Sequence, residues 1–285
     1  MKRWVSYHAF LTEDTDRYIT AFLLPGIERI GIQMPEVKRF FFLRYWEGGA
    51  HLRLRFRIAE EAAIKPLETE LQQTLDRMAR LNDQQAFILS GSESRSTCLN
   101  PQNFVLMRAE YDRSSHYFGE SMASVYSELI NEQTSYLAIA MLDFCYESGI
   151  DRQTLVILVV NYLMSKSLVD YELRQKLINR GYEFATLNTQ KYFTSVAFKA
   201  PVLQNKQLAA LVRNSEALYP FFSSNTYLKQ ILRLIKRIYH HNYDECIVVH
   251  SIHLLCNKLG VNLPAEAAIY DIISSLENFQ VNHQT

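Results

Sequence analysis

Four basic side chains occupy alternate positions in one short run, His51-Leu52-Arg53-Leu54-Arg55-Phe56-Arg57-Ile58. A two-residue period is that of a β-strand, so His51, Arg53, Arg55 and Arg57 share one face and Leu52, Leu54, Phe56 and Ile58 the other. If the apolar side is core, the opposite side gathers three guanidinium groups on one surface. Planar donor forks of this kind grip carboxylates and phosphates through paired hydrogen bonds. The competing reading is an edge strand that uses charge to resist aggregation. The aromatic run Val37–Tyr45 precedes the row, and Glu47-Gly48-Gly49 joins the two as a hairpin spanning Val37 to Ile58. Arg44, on the first strand, joins the row if the register allows.

A second set of chemically capable side chains lies between Asp244 and Gly260. Cys246, His250, His253 and Asn257 recur at helical spacing, while Ile247, Val248, Val249, Ile252, Leu254 and Leu255 fill the other faces. His253 suits proton transfer near neutral pH, and His250 suits a helix contact. Cys and His one turn apart also suit zinc, but no HExxH or CxxC pattern accompanies them, so no metal is expected. A basic stripe of Lys229, Arg233, Lys236, Arg237 and His240 reads as the solvated side of an amphipathic helix. An acidic peptide or RNA docking there is the sharper alternative. Ser92, Ser94 and Ser96 form a hydroxyl-rich loop without a GxSxG elbow. Neither GxxxxGK[ST] nor GxGxxG occurs, which disfavours nucleotide-dependent transfer by those routes.

Positioning these groups requires a mixed scaffold. The spacing predicts a strand over Trp4–Leu11, a helix over Arg17–Leu24 interrupted at Pro25-Gly26, and the hairpin after Pro35. A long helix follows over Ala59–Leu81, then strands at Gln85–Leu89 and Phe104–Tyr111. After Gly119 the pattern is helical: Met122–Tyr146, Asp151–Leu168, Tyr171–Arg180, Leu203–Leu218, Asn225–His240, Asp244–Leu259 and Ala265–Phe279. Gly149, Gly181, Gly260 and Pro264 fall between them as stops. The expectation is an α+β chain, an antiparallel sheet-bearing half (1–119) packed with a helical half (120–285) as one domain. At 285 residues and 48% hydrophobic the chain can bury a large core. Its 30 basic and 30 acidic residues cancel, so no global field favours DNA. Cys98, Cys145, Cys246 and Cys256 form no dense framework, which suits a reducing cytosol. The N-terminus turns polar too soon for a signal peptide, and the apolar run Thr154–Met164 is too short to span a bilayer. A soluble cytoplasmic protein is expected, with a homodimer compatible with its many apolar helices.

The hairpin also resembles a known family. Phe40-Phe41-Phe42-Leu43-Arg44-Tyr45 through Ala50-His51-Leu52-Arg53-Leu54-Arg55-Phe56 is similar to the FFIRY…G-x-HLRLRF pattern of the C-terminal domain of class I lanthipeptide dehydratases. That domain also occurs as free-standing thiopeptide-type bacteriocin biosynthesis proteins. Trp4-Val5-Ser6-Tyr7-His8 resembles the family's first strand, and His253 to Gly260 its HMxxNRLxG helix. The resemblance covers nearly the whole chain, with its motifs in order. It implies action on a leader-bearing, ribosomally made precursor peptide, without a cofactor. The chemistry is either elimination of glutamate from glutamylated Ser or Thr, or a formal [4+2] joining of dehydroalanines into a pyridine with expulsion of the leader. Arg53 and Arg55 match the family's functional arginines and His253 its catalytic histidine. Asn257 and Lys258, in the same helix motif, His51 and Arg44, which border the arginine row, and His116 are the candidate substrate contacts. Elimination further implies a separate glutamylating subunit.

One motif departs. The family's YxxExxRYGG is represented by Tyr111 to Gly119, with Ser114 at the glutamate position and Tyr117 at the arginine position. Tyr111, Tyr117 and His116 are the donors expected to serve there. The departure raises pyridine formation against elimination, and it motivates a non-catalytic, leader-binding scaffold as a competing class.

Overall fold

The structure, a computed structural model, describes residues 3–11, 14–45, 49–90, 103–111, 123–167, 170–192, 204–242 and 246–283. The architecture is α+β, with one antiparallel sheet in the N-terminal region and helices in the C-terminal half. Two compact units divide the chain at Ser114/Ser115.

In the first unit, β1 (Arg3–Phe10), β2 (Val37–Tyr45), β3 (His51–Ile58) and β4 (Val105–Ala109) lie in the order β2-β3-β1-β4. The arginine strand is therefore interior, and edge protection does not account for its charges. Its apolar side is core: Leu52, Leu54, Phe56 and Ile58 are wholly buried beside Phe40 and Phe42 of β2 and Val5, Tyr7 and Ala9 of β1. The long helix α3 (Ile64–Ser90) buries Leu67, Leu71, Leu75 and Met78, four residues at the expected helical spacing. Tyr7 at the sheet donates its hydroxyl to Glu68 of α3 over 3.3 Å.

Two expected breaks are absent here. Pro25 does not interrupt the first helix: α1 (Thr15–Arg17) runs through a π-helical segment, Tyr18–Leu23, into α2 (Leu24–Gln33). The Leu24 N–H reaches back to the Ile19 carbonyl, a widened turn immediately before the proline, which has no N–H to give and would crowd the carbonyl four residues back. The Tyr18 hydroxyl lies 2.7 Å from Thr74 Oγ1, which itself donates to the Leu71 carbonyl, so Tyr18 is the donor and ties the widened turn to α3. Gln85–Leu89 is not a strand, because α3 continues to Ser90. Nothing between Leu81 and Ser90 breaks a helix, and the first stop signal is Gly91.

The second unit comprises α4 (Ala123–Ser148), α5 (Arg152–Ser167), α6 (Tyr171–Tyr192), α7 (Asn205–Ala217), α8 (Tyr219–Ser224), α9 (Thr226–Asn242), α10 (Cys246–Lys258) and α11 (Leu263–His283). Helix α6 packs on α11, and α4 packs on both α9 and α10. Leu155 to Val160 of α5 are all buried, so the run that was too short for a bilayer is a core helix. Among the described residues no helix is long and apolar enough to cross a membrane.

Gly149 and Gly260 stop α4 and α10 as expected, both at φ 70°, where a side chain would be strained. Gly181 does not stop a helix. It lies inside α6, where an added Cβ would sit 2.2 Å from the Tyr270 ring of α11, so glycine is there to admit the ring.

Candidate functional site

Strand register decides which side chains face the arginines. Opposite Arg55 stand Ser6 on β1 and Phe41 on β2; opposite Arg53 stand His8 and Leu43; opposite His51 stand Phe10 and Tyr45. Residues opposite one another share a face, so the row gains hydroxyl, imidazole and aromatic neighbours. Arg55 is only 3% exposed. Its guanidinium carbon lies 4.8 Å from the Tyr111 ring centre and 5.8 Å from that of Phe41. Trp4 stacks on Tyr111 at 5.5 Å and 12° and meets Phe41 edge-on, which braces both rings. Arg53 lies 3.3 Å over the Tyr45 ring. Arginine tolerates such aromatic, poorly hydrated surroundings because its charge is delocalised, and its attraction for an anion grows as water is excluded.

The two histidines on this face stay neutral. His51 Nδ1 lies 2.7 Å from the Gly49 carbonyl, an acceptor, so Nδ1 carries the proton. Nε2 is then the acceptor that receives Arg53 Nε–H at 3.5 Å. Burial lowers the His51 pKa, the Gly49 carbonyl opposes that shift, and Arg53 adds to it. His8 stacks on His51 at 4.6 Å. Burial, with His51, Arg53 and Arg55 nearby, lowers the His8 pKa to about 4. The face therefore carries guanidinium charge without imidazolium charge at neutral pH, and it offers both fork donors and a neutral base.

Arg44 does not join the row. It pairs in register with Leu52, on the core side, and is ion-paired to Asp16. A one-residue register step places a side chain on one face or the other, which sequence alone leaves open. His51 and Tyr111 do lie at the arginine face, while Arg57 stands at its far end opposite Arg39 and Trp4. His116, Tyr117 and Ser114 fall outside the described residues, as do the serines of the 92–96 loop.

On α10 three of the four polar residues of the stripe share the one side that is not buried. Among its described side chains, only His250, His253 and Asn257 are not buried. His253 Nδ1 lies 2.8 Å from Glu266 Oε2 of α11, and Phe184 of α6 meets the His253 and His250 rings edge-on at 5.0 and 5.4 Å. The Cys246 side chain is outside the described residues, which among themselves gather no three His, Cys, Asp or Glu groups about a point. Lys258 is not at a surface. It is fully buried, and its Nζ donates to Asn131 Oδ1 of α4 at 3.2 Å. A buried amino group requires such an acceptor, so Lys258 ties α10 to α4. On α9, Lys229, Arg233, Lys236 and Arg237 are exposed, while Leu228, Ile231 and Ile235 are buried; the His240 side chain lies outside the described residues.

Trp4, Ser6, His8, Phe41, Tyr45 and Glu266 were not among the expected site residues. Alternation along β1 hinted at Trp4, Ser6 and His8, but only pairing with β3 puts them beside arginines. Nothing in the sequence marks Glu266 as a partner of His253.

Residues 4–276 match the family described as "Lantibiotic biosynthesis dehydratase C-term". The tRNA-dependent lantibiotic dehydratase MibB from Microbispora sp. 107891 is similar in structure over 99% of this chain, with a TM-score of 0.66 and 14% identity. The chain spans only 28% of that enzyme's length. The pyridine synthase TbtD from thiomuracin biosynthesis is similar over 98% of this chain and 99% of its own, with a TM-score of 0.59 and 12% identity. TsrL is similar over 100% and 96%, with a TM-score of 0.61 and 11% identity. At these identities the likeness is one of fold. No curated protein matches the chain in sequence.

Proposed function

Because the chain belongs to the family of lantibiotic dehydratase C-terminal domains, we propose that it is a lyase acting on a leader-bearing, ribosomally made precursor peptide. The reaction is elimination of glutamate from glutamylated Ser or Thr, leaving dehydroalanine or dehydrobutyrine. The observation that carries this reading is the buried Arg55 guanidinium beside Arg53 on an aromatic sheet face. Elimination removes the α-proton, turns its electron pair into the Cα–Cβ double bond, and breaks the Cβ–O bond so that glutamate leaves as a carboxylate. The arginine forks match that carboxylate, and donors already in place stabilise the charge as it appears. His253 is the group for the α-proton, and Tyr111 is a further donor at the arginine face. A separate glutamylating subunit supplies the substrate.

The test is incubation with a glutamylated precursor peptide, followed by mass spectrometry. Loss of one glutamate per modified residue is expected, and an unchanged mass overturns the reading.

Ser114 and Tyr117, standing where the family has Glu and Arg, favour a second reading, pyridine formation. It is separated by a multiply dehydrated, azole-bearing peptide: appearance of a pyridine with release of the leader would replace elimination as the function.

A further inference from the structure

We propose that Glu266 is the positioning residue of His253, holding its ring so that Nδ1 carries the proton and Nε2 presents the lone pair. Glu266 is 1% exposed, and its Oε2 lies 2.8 Å from His253 Nδ1. A carboxylate removed from water is costly unless it is hydrogen-bonded, and Oε1 has no hydrogen-bond partner, so Glu266 depends on this contact. An ionised carboxylate only accepts, which requires that Nδ1–H be the donor. The lone pair of the neutral ring is then on Nε2, the nitrogen that Glu266 does not occupy. An unconstrained neutral imidazole favours the opposite tautomer, so the carboxylate selects the form as well as the orientation.

The clamp is built by two helices packed at a glycine. Gly181 of α6 admits the Tyr270 ring of α11, which fixes the two helices at close range. Phe184 lies one turn after Gly181 on α6, and Glu266 lies one turn before Tyr270 on α11. The close approach therefore brings an aromatic edge and a carboxylate to the same imidazole, with Phe184 5.0 Å away at 70°. Rotation of the His253 ring would exchange the hydrogen bond for a bare buried carboxylate, which holds the ring in place.

The proposal deepens the reading of His253 as the proton-transfer group, yet its test needs no substrate. In protein labelled with 15N at histidine, two-bond correlations from the ring C–H groups report the protonation of each nitrogen. Loss of a pattern in His253→Ala identifies this ring among the eight histidines. The expected result is protonated Nδ1 and unprotonated Nε2 in the wild-type chain and in Glu266→Gln, whose amide oxygen still accepts. Glu266→Ala should move the population toward Nε2–H. Its single-turnover rate on glutamylated peptide should fall by about 10- to 100-fold, with partial recovery in Glu266→Gln. A wild-type ring protonated at Nε2, or a tautomer unmoved by Glu266→Ala, overturns the proposal. If Glu266→Ala does not fold, the wild-type and Glu266→Gln spectra decide it. The expected tautomer without any elimination would instead sink the lyase reading and leave this one standing.

Discussion

The Arg55 guanidinium lies 4.8 Å from the centre of the Tyr111 ring, and Trp4 stacks on that ring at 5.5 Å. Arg55 is thereby held in a nearly water-free aromatic frame, where its charge is least screened and its donor fork has a fixed plane.

Arg55→Lys keeps the charge and discards both the fork and the stacking. Under the elimination reading its rate should fall roughly 100-fold, the scale on which one preorganised donor acts. Arg44→Ala should leave the rate unchanged, because Arg44 faces the core side and pairs with Asp16. That ion pair is half-exposed at Asp16, so its loss should cost about 1 kcal/mol or less. Rates from mass spectrometry beside chemical denaturation curves separate the two. Equal rate losses would remove the distinction between the faces.

Gly181→Ala should be among the most damaging small changes. Its methyl group would sit 2.2 Å from the Tyr270 ring, so α6 and α11 must separate. Overpacking of this kind costs about 3 kcal/mol, measurable in urea. Tyr270→Phe leaves the ring in place and should not rescue it. Tyr270→Ala should give a double variant less destabilised than the sum of the singles, because the two changes share one contact.

Lys258→Ala should lower stability by roughly 3 kcal/mol, through a lost buried side chain and an acceptor on Asn131 left without this donor. The rate per folded molecule should be unaltered. A raised KM with unchanged stability would return Lys258 to the substrate.

His8 supplies a pH dependence. Its folded pKa is about 4 against an ordinary 6.5, so below 6.5 the unfolded chain takes up a proton that the folded chain refuses. The contribution is fully present above about pH 6.5 and is lost as pH falls toward 4. His8→Gln, which never charges, should flatten the decline of Tm across that window. A bound carboxylate on Arg53 and Arg55 should raise the His8 pKa, because those charges are part of what lowers it. Titration of the His8 ring by NMR, with and without free glutamate, reads this directly.

Periodicity was enough for the elements that a single face defines. Alternation from His51 to Ile58 placed its leucines in the core, and the half-exposed stripe of α10 fell on His250, His253 and Asn257, because burial follows the repeat of the local backbone. Local stop signals were less dependable where packing overrode them. Pro25 was absorbed by a π-helical turn, and Gly181 proved to be a seat for Tyr270 rather than a helix end. Gln85–Leu89 is apolar enough for a strand, yet with no breaker before Gly91 the preceding helix runs through it.

By itself the sequence determined the α+β class, the arginine row, the histidine stripe and the family to which they belong. The tertiary structure alone decided that the row is interior, that Ser6, His8 and Phe41 border it while Arg44 does not, and that Glu266 meets His253. Side-chain direction repeats every two or 3.6 residues and is written locally. Strand register and helix approach are set by contacts between residues far apart in the chain, and no local repeat encodes them.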